Sequence, residues 1–261
     1  MKATLDSIVD LAACPLDDAD FGDSCAAILA HDGVLTLPGF LKNSAITRLV
    51  AEAEATRDKA YFTASSHNVY LAAPRPELGE THVFNRQITS SKGCITTDQI
   101  AADSGLKTIY DAPEFRAFIA HVVDEVALYE YADPLSSINV HYADAGQELG
   151  WHFDNSEFAI TLLLQAPDAG GQFEFVRDLR DANADEMNFS GVAAVLDDQI
   201  GIQQLAVEPG TLMLFRGRNS LHRVTPTIGS KTRILVVLAY NTKPGIALSE
   251  AARMTFFGRL G

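Results

Sequence analysis

The sequence predicts an α+β fold whose core is predominantly β. Three observations carry this. Apolar residues recur at helical spacing only in the first half of the chain. From about residue 132 onward, short β-rich runs follow one another, separated by turns rich in Gly and Pro. One of those runs places a His and an Asp two residues apart, and a second His lies much further along. Many short strands with such turns pack as a sandwich or barrel. The expected architecture is therefore a double-stranded β-helix, jelly-roll or cupin-like, with N-terminal helices packed around it.

Asp23 to Ala30 reads as a short helix stopped before Gly33. Val34 to Leu37 is β-like, and Pro38-Gly39 breaks the chain. Ser44 to Ala60 puts Ile46, Leu49, Val50 and Ala53 on one helical face. Pro113 to Leu128 does the same with Phe115, Phe118, Ile119, Val122 and Val126, and Pro113 suits a first turn. Between these helices the stretch 61–99 is polar, with Pro74, Pro76, Gly79 and Gly93. It reads as an irregular, lid-like loop.

The β-rich runs are Ser137 to Ala143, Gly150 to Asn155, Phe158 to Gln165, Gln172 to Val176, Gln203 to Val207, Thr211 to Phe215, His222 to Pro226 and Thr232 to Tyr240. Turn signals at Gly170-Gly171, Pro209-Gly210 and Gly229-Ser230 divide them. The expected organisation is a single domain at 1–261. It comprises a mainly helical region at 1–131, with the lid-like loop at 61–99, and a jelly-roll core at 132–261. An acidic, partly helical insertion at 177–201 interrupts that core.

The formal net charge of −14 argues against a phosphate-backbone partner and against an anionic membrane surface. No apolar run is long enough to span a bilayer, and the acidic N-terminus does not read as a signal peptide. Cys14, Cys25 and Cys94 are scattered and odd in number, which suggests neither a disulfide framework nor a zinc ribbon. A cytoplasmic protein with a small-molecule substrate is expected, with no nucleic-acid or membrane partner. Its oligomeric state is left open.

Trp151-His152-Phe153-Asp154 is the centre of the functional reading. On a strand, residues two apart share a face, so His152 and Asp154 can grip one ion. A barrel can bring His222 back to them. Two imidazoles and one carboxylate leave three positions open on an octahedral iron(II), enough for a chelating 2-oxo acid and dioxygen. An H-x-D pair alone is weak, since the same residues can form a buried hydrogen-bonded pair. Arg233, among apolar residues on a later strand, strengthens it. A buried guanidinium requires an anion, and its planar fork matches the distal carboxylate of 2-oxoglutarate; a structural ion pair is the competing explanation. For the substrate, Arg86 is a candidate from the 61–99 stretch, with His67, Asn155 and Glu157 as further polar candidates. Arg216, Arg218 and Arg223 crowd His222, and at least one of them is expected to support the fold rather than the chemistry.

The runs Trp151-His152-Phe153-Asp154, Gly170-Gly171-Gln172-Phe173-Glu174, Pro209-Gly210-Thr211 and Arg216 to Pro226 together resemble the ArpA-like oxygenases. These are related to the HalD/BesD-type radical halogenases and hydroxylases of free amino acids. The resemblance is densest from about Asn139 to Gly258, with traces at His67-Asn68 and Asp98-Gln99-Ile100. It implies a non-haem iron(II), 2-oxoglutarate-dependent dioxygenase acting on a free amino acid or small amino-acid derivative. In the halogenases of this group the acidic ligand is replaced by glycine, which opens a position for chloride. Asp154 therefore implies hydroxylation. Asn155 stands where the lysine halogenases are expected to carry an acid, so no lysine specificity is implied. Two alternatives stand beside this reading: desaturation or cyclisation at the same metal site, and a non-catalytic jelly-roll binding protein.

Overall fold

The computed structural model describes residues 3–261. Helix α1 (Ala19–Asp32) starts where the Asp18 carboxylate accepts from the Phe21 amide, and it ends on Gly33 at φ 73°. That left-handed conformation costs glycine little. Strand β1 (Val34–Leu37) follows, then α2 (Asn43–Thr56), which buries Ala45, Leu49 and Ala53. After β2 (Tyr61–His67) and β3 (Ile88–Ile95) come α3 (Gly105–Asp111) and α4 (Pro113–Val123). Helix α4 stops at Asp124, φ 63°, short of the expected end. Val126, expected on its apolar face, is consequently fully exposed.

The remaining elements follow the β-rich runs closely. They are β4 (Ile138–Ala143), β5 (Leu149–His152), β6 (Ala159–Gln165), β7 (Ala169–Gly170), β8 (Phe173–Val176), α5 (Phe189–Leu196), β9 (Gln203–Leu205), β10 (Leu212–Phe215), β11 (Leu221–Val224), β12 (Thr227–Ile228), β13 (Arg233–Leu238) and α6 (Glu250–Phe257). One antiparallel sheet runs β1-β10-β6-β13-β4-β3-β5-β11-β8-β9, with β2 attached to β3. It curls on itself as a jelly roll. Strand β3 joins the two faces, pairing Gly93 with Tyr142 on β4 and Ser90 with Leu149 on β5.

The stretch expected at 61–99 as one irregular loop instead begins and closes with strands. Tyr61 to His67 pairs residue for residue with Cys94 to Ile88. The strand signal is hidden because the cavity-facing positions are Thr63, Ser65, His67, Ser90 and Lys92 rather than apolar residues. Only 68–87 between the two strands lacks a strand.

The period-two rule then sorts the core. On β13, Ile234 and Val236 are fully buried in the main hydrophobic cluster with Leu162, Leu214 and the helix residues Leu29, Leu49, Phe115 and Ile119. The alternate residues Arg233, Leu235 and Val237 line an interior cavity. Helices α1, α2 and α4 thus seal one face of the sheet. The other face is left free to hold chemistry.

Candidate metal centre

Strand β5 ends on His152, and β11 pairs with it so that His222 lies directly opposite. The two imidazole centroids are 4.1 Å apart. Each ring is turned by its own backbone. Nδ1 of His152 donates to the Gly150 carbonyl at 2.8 Å, and Nδ1 of His222 donates to the Ser220 carbonyl at 3.0 Å. These bonds leave both Nε2 atoms as bases facing inward. Asp154 Oδ1 lies 3.6 Å from each Nε2. All three ligand atoms fall within 4.8 Å of one another. Bonds of roughly 2.0–2.2 Å to a shared ion require donor atoms about this close.

The site tests well as a metal site. Asp154 Oδ2 is buried and has no hydrogen-bond partner, an expensive state unless something else binds it. Burial alone would raise the Asp154 pKa, but the adjacent His222 and His152 outweigh it and hold the carboxyl well below its ordinary range. Burial and then the neighbouring His222 push His152 down. Both shifts favour the protonation states that ligate. Two imidazoles and a carboxylate with an open side are the donor set of non-haem iron(II) oxygenases.

Two supports were not visible as such in the sequence. Gly217 abuts the carboxylate: a Cβ there would stand 1.9 Å from Asp154 Oδ2, and the Gly217 carbonyl accepts from the Asp154 amide at 3.0 Å. Arg180, from the 177–201 insertion, lies 4.1 Å over the Phe153 ring and donates to the Arg218 carbonyl. Of the arginines near His222, Arg223 pairs across the strands with buried Glu174 at 2.6 Å and covers Trp151.

Arg233 opens β13 and lines the same cavity, of about 320 Å³, as the three ligands. Gly171 gives it room, since a Cβ there would meet its Cδ at 2.9 Å. Burial, unopposed by any carboxylate among the described residues, pulls its pKa down to about 10. Lys92 and His141 line the cavity too and were not anticipated. Lys92 Nζ lies 3.1 Å from His141 Nε2. Burial depresses the Lys92 pKa, and burial with Lys92 and Arg233 nearby drives His141 well below its ordinary value.

The sequence-derived substrate candidates separate. His67 lines the cavity, held by Ser90 Oγ at 2.7 Å and the Asn68 carbonyl at 3.0 Å. Arg86 does not: it is exposed and tied to Asp197 at 2.5 Å, beside the end of α5. Asn155 and Glu157 are exposed as well and do not line the cavity, whereas Ser156 and Phe158 do, and Glu157 lies 3.0 Å from Arg218.

The model of the family described as Halogenase D matches residues 23–254. The chain belongs to the Halogenase D family. No curated protein matches the chain. Solved structures share its fold at low identity. A 2OG-Fe(II) oxygenase family oxidoreductase from Burkholderia pseudomallei is 14% identical, with TM-score 0.53, covering 86% of this chain and 92% of that one. The epimerase SnoN of nogalamycin biosynthesis, in complex with Fe3+ and α-ketoglutarate, is 13% identical, with TM-score 0.56 and coverages of 85% and 84%. The carbocyclase SnoK is 12% identical, with TM-score 0.58 and coverages of 88% and 90%. The fold of this Halogenase D family member is thus that of the iron(II), 2-oxoglutarate-dependent oxygenases, and iron(II) and 2-oxoglutarate are the cofactors that the site fits.

Proposed function

We propose that this chain hydroxylates an unactivated C–H bond of a free amino acid or small amino-acid derivative. His152, Asp154 and His222 hold iron(II), and Arg233 takes the distal carboxylate of 2-oxoglutarate. When bound, iron(II) with 2-oxoglutarate and dioxygen supplies the oxidising power, converting R–H to R–OH with release of succinate and carbon dioxide. The protein's share is placement. The backbone bonds to Nδ1 aim both imidazoles, Gly217 seats the carboxylate, and the apolar wall of Phe158, Phe173, Met213 and Phe215 excludes water around the reacting carbon.

The observation that carries this reading over halogenation is Asp154 itself. Its carboxylate sits against both Nε2 atoms, in the position that the related halogenases are expected to leave to chloride. An added chloride would put two anions on one ion. Turnover in abundant chloride, read by mass spectrometry, should give a product heavier by one oxygen and free of chlorine. A predominantly chlorinated product from the unaltered chain would refute this. Loss of two hydrogens without added oxygen would instead indicate desaturation or ring closure at the same site.

A further inference from the structure

The cavity wall carries a charge imbalance. Two cations, Lys92 and Arg233, line it, and among the described residues Asp154 is the sole carboxylate that does so. Asp154 is committed to the metal. Iron(II) and the 2-oxoglutarate dianion cancel in charge, so Arg233 and Lys92, whose charged form burial disfavours and an anion would restore, stand against Asp154 with one positive charge uncompensated when Lys92 is protonated. His141 cannot absorb it, because its neighbours and its burial keep it neutral. It lies between the two cations, paired with Cys94 on β3 and with Leu235 on β13. Arg233 is matched by the distal carboxylate of 2-oxoglutarate. Lys92 then remains, desolvated and facing a neutral imidazole at 3.1 Å. A buried ammonium without an anion is costly, and a ligand carboxylate would relieve it.

A substrate ammonium meets the opposite situation. Among the described residues no second carboxylate lines the cavity to receive one: Glu157, three residues after Asp154, is exposed and held by Arg218. Most of the remaining wall is apolar, including Leu71, Phe158, Met213, Phe215 and Leu235. From this geometry we infer that the substrate is a carboxylate with an apolar body and no free ammonium group, its carboxylate received by Lys92. Among amino-acid derivatives this selects those whose amine is acylated or absent, and it disfavours free basic amino acids. The inference rests on the oxygenase reading above.

The test is anaerobic binding to the chain loaded with iron(II) and 2-oxoglutarate. The probes are N-acetyl-L-leucine as anion, L-leucine as zwitterion and L-leucinamide as cation, with hexanoate against hexylamine as a second pair. Each anion should bind about ten- to a hundredfold tighter than its cationic partner, the range of a charge-assisted hydrogen bond. N-acetyl-L-leucine should also exceed L-leucine. Lys92→Gln should erase the preference while changing 2-oxoglutarate affinity less than about threefold. Equal or tighter binding of the ammonium probes overturns the inference, as does failure of every anion to bind at millimolar concentration. A Lys92→Gln variant that loses 2-oxoglutarate instead, with the anion preference intact, overturns the role given to Lys92. Failure to load iron(II) and 2-oxoglutarate at all strikes the oxygenase reading itself. A loaded protein that prefers ammonium strikes only the inference.

Discussion

Gly217 shows how little space the ligand carboxylate has. A methyl group there would overlap Asp154 Oδ2, so Gly217→Ala must displace the carboxylate or the 216–218 backbone. Iron(II) affinity should fall about ten- to a hundredfold, as for changes that misplace a metal ligand. The melting temperature should move by only a few degrees, because no large apolar contact is lost. Metal titration beside a thermal melt checks this, and unchanged affinity would show that Gly217 does not seat Asp154. Arg233 allows a complementary separation. Arg233→Leu keeps the apolar packing of β13 and removes the guanidinium. 2-Oxoglutarate affinity should drop about tenfold or more, while iron(II) affinity stays within about threefold. Equal losses of both would mean that the variant damages the cavity as a whole.

At the scale of elements, the sheet is built from strands whose two faces do different work. Leu162 on β6 is fully buried in the cluster shared with the helices. Leu162→Ala should therefore cost about 2–5 kcal/mol of stability in a denaturant titration. A loss under about 1 kcal/mol would place the residue outside the main core. The same alternation explains what was legible in the sequence. The eight β-rich runs of the second half were readable because one side of each strand is apolar and Gly or Pro marks its ends. Strands β2 and β3 were not, because β2 is largely exposed and both turn Thr, Ser, His and Lys inward. His152, Asp154 and His222 were legible as a pattern, and the β5–β11 register explains why the distant His meets the pair. Lys92 and His141 carried no motif; only the curling of β3 and β4 around the cavity brings them to Arg233. Arg86 misled for the opposite reason. It sits in a polar stretch that suggests a binding loop, and α5 of the insertion captures it.

The whole molecule combines an acidic exterior with a cationic interior. The net charge is −14, yet the cavity presents Lys92 and Arg233. Long-range potential and the charge of the cavity wall are therefore of opposite sign, and the buried groups act at distances where salt screens little. No helix among the described residues is long and apolar enough to cross a membrane. The central claim, that His152, Asp154 and His222 form one iron site serving 2-oxoglutarate chemistry, is tested most directly by anaerobic titration with iron(II) in the presence of 2-oxoglutarate. Wild type, His152→Ala and Asp154→Ala should be compared at matched melting temperature. The account predicts one iron(II) per wild-type chain and an affinity loss of about a hundredfold or more in each variant. Variants that remain folded and bind iron(II) as tightly as wild type would contradict it.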